Sequence, residues 1–98
     1  MKVNFRRKAR QELWDTIAWY EKQRPGLGNE FEKAMDLLLL RIFENPRRFQ
    51  HLSARVGKAR LERFPYHVYF TQPGDGIQIT AIIHNKRGPE WVAQRLSE

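Results

Sequence analysis

The chain contains no cysteine, which excludes disulfides, thiolate catalysis and thiolate zinc sites together and fits a reducing compartment; a cytoplasmic protein is expected. Long apolar runs are missing too. The longest, Leu37 to Leu40, falls far short of the about 20 residues that span a bilayer. The N-terminus lacks the apolar core of a secretory signal, so a soluble, unprocessed chain with no membrane partner is expected. Acidic residues are scarce, with 11 Asp and Glu against 18 Lys and Arg and a formal charge of +7. Such a surface attracts polyanions over a Debye length of about 8 Å at physiological salt. DNA, RNA, a ribosome and an acidic protein satisfy that condition equally. There is neither an internal repeat nor a low-complexity tract. What is present is 41% hydrophobic residues, including 3 Trp, 3 Tyr and 6 Phe, enough for one small core, and residues 1–98 are read as one domain.

Along the chain, Lys2-Val3-Asn4-Phe5 alternates as a short edge strand. From Arg7 to about Gln23, Ala9, Leu13, Ile17 and Tyr20 recur at helical spacing with Trp14 beside them, while Arg10, Glu12, Asp15, Glu21 and Lys22 take the other side. Pro25, Gly26 and Gly28 then reverse the chain. A second helix is expected from Leu27 or Gly28 to Phe43, with acidic residues in its early turns, and Asn45-Pro46 ends it. Residues 47 to 57 show no period and read as a basic, mobile loop. Thereafter the period is two. Strands are expected over Ala59–Phe64, His67–Thr71 and, after the turn Gln72-Pro73-Gly74-Asp75-Gly76, Ile77–His84. The last is apolar on both faces, as a central strand should be, and a short helix begun by Pro89 and carrying Trp91, Val92 and Leu96 either covers the second face or leaves it to a partner. The expected fold is α+β, in the order β-α-α-β-β-β with a short C-terminal helix. A helical hairpin should cover one face of a mostly antiparallel sheet.

Chemistry is sparse. His51, His67 and His84 lack metal-ligand spacing and an accompanying carboxylate cluster, so no metal and no cofactor is expected. Ser53 and Ser97 lack the turn that exposes a nucleophile. Gly26 and Gly28 follow a helix instead of a strand, unlike a phosphate-binding loop. Between residues 41 and 63 stand Arg41, Arg47, Arg48, Arg55, Lys58, Arg60 and Arg63 against only Glu44 and Glu62. The candidate binding face is a basic and aromatic set: Arg60, Arg63, His67, Tyr69, Lys86, Arg87 and Trp91. These could bind phosphates and stack on bases, and a ribonuclease that uses the RNA 2′-hydroxyl needs little beyond cations and a proton-transfer group. Equally, Arg63 and Arg87 could be ion-pairing or capping residues and Trp91 part of the core. Alternation sets His67, Tyr69 and Thr71 opposite Tyr66, Val68 and Phe70, the side expected to pack on the helices.

Trp19-Tyr20-Glu21 followed by Pro25-Gly26-Leu27-Gly28 and Phe31, then Asn45-Pro46, then Arg63-Phe64-Pro65-Tyr66 with Val68 and Tyr69, and finally His84, Arg87, Pro89 and Trp91, resemble in order and spacing the ParE-type toxins of the ParE/RelE toxin–antitoxin superfamily. The resemblance spans nearly the whole chain. It implies the toxin of a plasmid-stabilisation type of system, neutralised by a cognate antitoxin whose acidic or amphipathic C-terminal segment, unstructured alone, wraps the toxin. ParE-like members are known for poisoning DNA gyrase without a recognisable active site, and RelE-like members for cleaving mRNA on the ribosome. Where RelE-like enzymes place a catalytic arginine this chain has His67, and Arg87 falls near another of their basic positions. Trp91, Val92 and Ala93 stand where several have a tyrosine. The resemblance therefore implies a non-enzymatic gyrase inhibitor first, and an endoribonuclease using Arg63, His67 and Arg87 as the alternative.

Overall fold

Two amphipathic stretches become the helices α1 (Arg7–Gln23) and α2 (Leu27–Glu44) in the computed structural model, which describes residues 2–98. They fold back on each other through a turn of three residues. Gly26 takes φ 90°, a conformation that a side chain would strain. Gly28 answers a different demand, because a Cβ there would lie 2.7 Å from the Ile17 carbonyl oxygen; its absence lets the helices close. Glu21 is exposed, as its place on the polar side of α1 led one to expect, and its carboxylate also accepts the N–H groups of Gly26 (2.9 Å) and Gly28 (3.0 Å). It thus caps the start of α2 from the helix before, satisfying donors that have no partner within α2.

The sheet has the order β1-β5-β4-β3-β2, formed by β1 (Val3–Phe5), β2 (Gln50–His51), β3 (Gly57–Arg60), β4 (Tyr66–Thr71) and β5 (Ile77–His84). The edge strand β1 runs parallel to β5 and every other pair is antiparallel, so the expected α+β arrangement holds. The hairpin lies on one face, where Phe31, Met35, Leu38 and Ile42 meet Val68, Phe70, Ile79 and Ile82. On the other face α3 (Pro89–Leu96) brings Val92 and Leu96 against Tyr69, Ala81 and Ile83. The second face of β5 is thus covered within the chain.

Two expectations are corrected. Residues 47 to 57 are not a featureless loop: Pro46–Arg48 form a turn of 3-10 helix, and Gln50 and His51 pair with Lys58 and Gly57 as a fifth strand. Two residues are too few to show a period, and only the partner strand defines them. The strand expected over Ala59–Phe64 also ends early, at Arg60. Arg63 adopts φ 72°, reversing the chain so that Leu61 N–H donates to Tyr66 O at 2.9 Å. A left-handed non-glycine residue costs about 1–2 kcal/mol. Against that cost stand the Arg63–Glu30 ion pair at 2.8 Å and the buried Phe64 ring, which meets Tyr20 at 4.9 Å and Phe31 at 5.1 Å between centroids.

A β-bulge sets the last connection. Tyr69 pairs with Ala81 but Phe70 pairs with Ile79, leaving Thr80 as the extra residue of β5. The Thr80 carbonyl accepts from Arg95 Nη2 at 3.1 Å. Arg95 in turn grips Glu12 through two bonds of 2.7 and 2.8 Å, and the same carboxylate accepts the Ile82 N–H at 3.0 Å. Glu12, read in sequence as a solvent-facing residue of α1, therefore occupies the edge of β5 beyond the end of β1 and joins α1 to α3.

Removing one member of a buried pair strands the other charge, at about 3–5 kcal/mol. Glu12→Ala and Arg95→Ala should each lower the unfolding free energy read from urea titration by about 3 kcal/mol, and Glu12→Leu with Arg95→Met together should lose much less than the sum. Gly28→Ala offers a second check, since helix propensity alone would make it stabilising by about 1 kcal/mol. The close Ile17 carbonyl predicts the opposite sign, a loss of about 1–3 kcal/mol in thermal unfolding.

Candidate functional site

The exposed part of the sheet lies on the face opposite the hairpin, beside α3. β3 presents Lys58 and Arg60 there, because Gly57 and Ala59 are buried on the helix side. β4 presents His67, paired in register with Arg60 on one side and Ile83 on the other. The turn after β5 closes the site. Asn85 donates its N–H to Pro65 O at 2.8 Å, and its Oδ1 stands 2.6 Å from His67 Nδ1. Because Oδ1 can only accept, Nδ1 carries the proton and the neutral ring keeps its lone pair on Nε2. Burial is the main cause that holds the His67 pKa below the ordinary imidazole value; the Asn85 bond opposes it, and the Lys58 and Arg60 charges add to it.

Of the candidate residues, Arg60 and His67 come together across the ladder, and Arg87 and Trp91 form a second unit. The Arg87 guanidinium lies 4.3 Å from the Trp91 ring centroid. Trp91 is 41% exposed and is a surface residue, not a core one. Lys86 sits exposed in the same turn, where its N–H donates to His84 Nδ1 at 3.0 Å. Two candidates are elsewhere. Tyr69 points to the outer face as alternation required but is only 3% exposed beneath the α3 contacts. Arg63 turns to α2, where it pairs with Glu30 and stands over Phe64 at 5.5 Å. Hydrogen bonds from Arg63 and then Arg24 hold the Glu30 carboxyl below its ordinary pKa.

Sequence reasoning did not single out Lys58 and Asn85 as site residues. Lys58 was recoverable from alternation, two positions before Arg60, whereas Asn85 meets His67 only through the register of β4 on β5. Among the described residues no group of three or more His, Cys, Asp or Glu could hold a metal ion, and no helix is long and apolar enough to cross a membrane. Chemically, the site supplies one proton acceptor, Nε2 of His67, beside cations suited to phosphate oxygens.

An NMR titration of His67 tests this geometry. Asn85→Ala should lower its pKa further, and Arg60→Gln should raise it toward the ordinary value. Since the folded value lies below the unfolded one, protonation opposes folding. The His67 contribution is therefore intact above about pH 6.5 and is lost as pH falls from there through the folded pKa.

No family model matches the chain, and no curated protein sequence does. Among solved structures it resembles a chain of the chromosomal ParDE TA system from P. aeruginosa, with a TM-score of 0.72 and 20% sequence identity over 86% of this chain and 95% of that one. The likeness runs over most of both chains, and the fold of this protein is the ParE-type toxin fold of the RelE/ParE class.

Proposed function

We propose that this protein is the toxin of a type II toxin–antitoxin pair, that it inhibits DNA gyrase by binding instead of catalysis, and that a cognate antitoxin neutralises it. The fold supports the toxin part of this reading. The observation that carries the binding part is the helical hairpin, which leaves Trp14 52%, Trp19 55%, Leu37 65% and Leu40 44% exposed. So many large apolar side chains on a small basic domain mark a surface for protein partners. A groove of about 500 Å³ runs along α2, floored by Ala34, Leu37, Leu38 and Leu40, with Lys33 on its edge and Arg41 and Arg63 on its rim already paired with Glu62 and Glu30. An amphipathic segment would lay its apolar side on those leucines and a carboxylate on Lys33.

A second reading, a ribosome-dependent endoribonuclease, is favoured by the free Nε2 of His67 beside Lys58 and Arg60. Its weakness is proton bookkeeping. Cleavage needs one group to take a proton and another to give one, and the neighbouring Tyr69 is buried under α3 with its pKa raised by burial.

Purified protein should inhibit gyrase supercoiling or accumulate cleaved DNA, and expression alone should arrest growth with SOS induction and intact transcripts. Failure to affect gyrase at any ratio would sink the first reading. Translation-dependent mRNA cleavage that disappears in the His67→Ala, Arg87→Ala double variant would establish the second.

A further inference from the structure

The arginines between residues 41 and 63 divide by what they touch. Arg41 pairs with Glu62 at 3.8 Å and stands over Phe49, Arg48 also stands over Phe49, and Arg63 is held by Glu30. Arg47 and Arg55 take part in no ion pair and no cation–π contact among the described residues. Both instead line one cleft of about 520 Å³, between the β2–β3 loop and the β4–β5 turn, together with Thr71 and Gln72. A second cleft, of about 350 Å³, shares Arg47, Ala54 and Gln72 with the first and adds His51 and Ser53. No carboxylate lines either cleft, and residues 45 to 61 contain none.

We infer that this double cleft, with Arg47 and Arg55 as its cations, binds the sugar–phosphate backbone of a nucleic acid. Every polar side chain in the first cleft can donate a hydrogen bond: two guanidinium groups, a hydroxyl and an amide. The arginines are carried on ordered backbone. Arg47 belongs to the 3-10 turn, and the Arg55 segment is tied by Leu52 N–H to Val56 O at 2.8 Å and by Ser53 Oγ, which accepts from Arg55 and Val56 N–H at 3.2 Å each. Two clefts meeting at Arg47 and Gln72 suit an extended polyanion better than a compact one. Lys58 and Arg60 continue the positive track along the outer side of β3, about 7 Å apart at strand spacing. An acidic peptide is the competing occupant. Such a peptide binds through apolar anchors as well as charge, and this trough offers only Ala54 and Pro73.

The test is fluorescence anisotropy of the intact protein with labelled duplex DNA, single-stranded RNA and a polyglutamate peptide over a salt series. Arg47→Gln with Arg55→Gln should weaken nucleic-acid binding at least about tenfold and reduce the slope of log K against log salt by about 2, one for each phosphate contact. Arg7→Gln with Lys22→Gln removes the same charge elsewhere and should leave the slope nearly unchanged. Unaltered melting and circular dichroism establish that the variants fold. Tighter binding of DNA or of RNA identifies the source of the phosphates, and either supports the site. An unchanged slope in the cleft variant, an equal loss in the α1 variant, or equal binding of polyglutamate would overturn it. None of these results depends on whether gyrase or mRNA is the target.

Discussion

The Glu12–Arg95 pair is the constraint on which the arrangement of layers depends. β1 is only three residues long, so β5 loses its parallel neighbour beyond Ile79. The Ile82 N–H would then be an unpaired donor at a half-covered edge, a cost comparable to a lost hydrogen bond. Glu12 accepts it from α1, on one side of the sheet, and Arg95 holds Glu12 from α3, on the other. Arg95 is itself 6% exposed, so its charge has no substitute partner in water. The bulge at Thr80 completes the device by turning a carbonyl toward Arg95. One polar cluster thus finishes a strand edge and fixes both helical layers against it.

The motifs that carry the family likeness belong to this same architecture. Tyr20 from the first motif, Phe31 from α2, and Phe64 and Tyr66 from the third form one aromatic cluster with centroid separations of 4.9 to 6.3 Å. Glu21 caps α2 and Gly28 admits the close helix contact. Arg63 ties the strained turn to α2. These residues explain why the fold forms, and for that reason they say little about the target. Fold and function part company here, as they commonly do when one scaffold serves several activities.

Function must be sought in side chains the fold does not consume. Once the cations held by Glu12, Glu30, Glu62 and Phe49 are set aside, positive charge without an ion-pair or cation–π partner among the described residues remains on the outer sheet face and around the double cleft, and also at Arg7, Lys22 and Lys33 of the hairpin. Trp14, Trp19, Leu37 and Leu40 are exposed along the hairpin, whereas the exposed Leu52 and Trp91 lie in the β2–β3 loop and on α3. A small protein with a basic sheet face and an apolar helical face has two chemically distinct surfaces, one suited to phosphates and one to protein.

Sequence by itself determined the features that local repetition writes: both hairpin helices, the Pro25-Gly26 reversal, the Ile77–His84 strand, and the alternation that separates His67 from Val68. The helices, the strand and the alternation follow from a period of 3.6 or 2, and the reversal from the backbone preferences of proline and glycine, all read within a few residues. Only the tertiary structure decided that Gln50 and His51 form a strand, that the chain turns at Arg63 before Phe64, that Tyr69 is covered by α3, and that Glu12 leaves the polar face of α1. The physical reason is distance along the chain. Glu12 meets Arg95 across 83 positions and Arg63 meets Glu30 across 33, and no local pattern records a partner so remote.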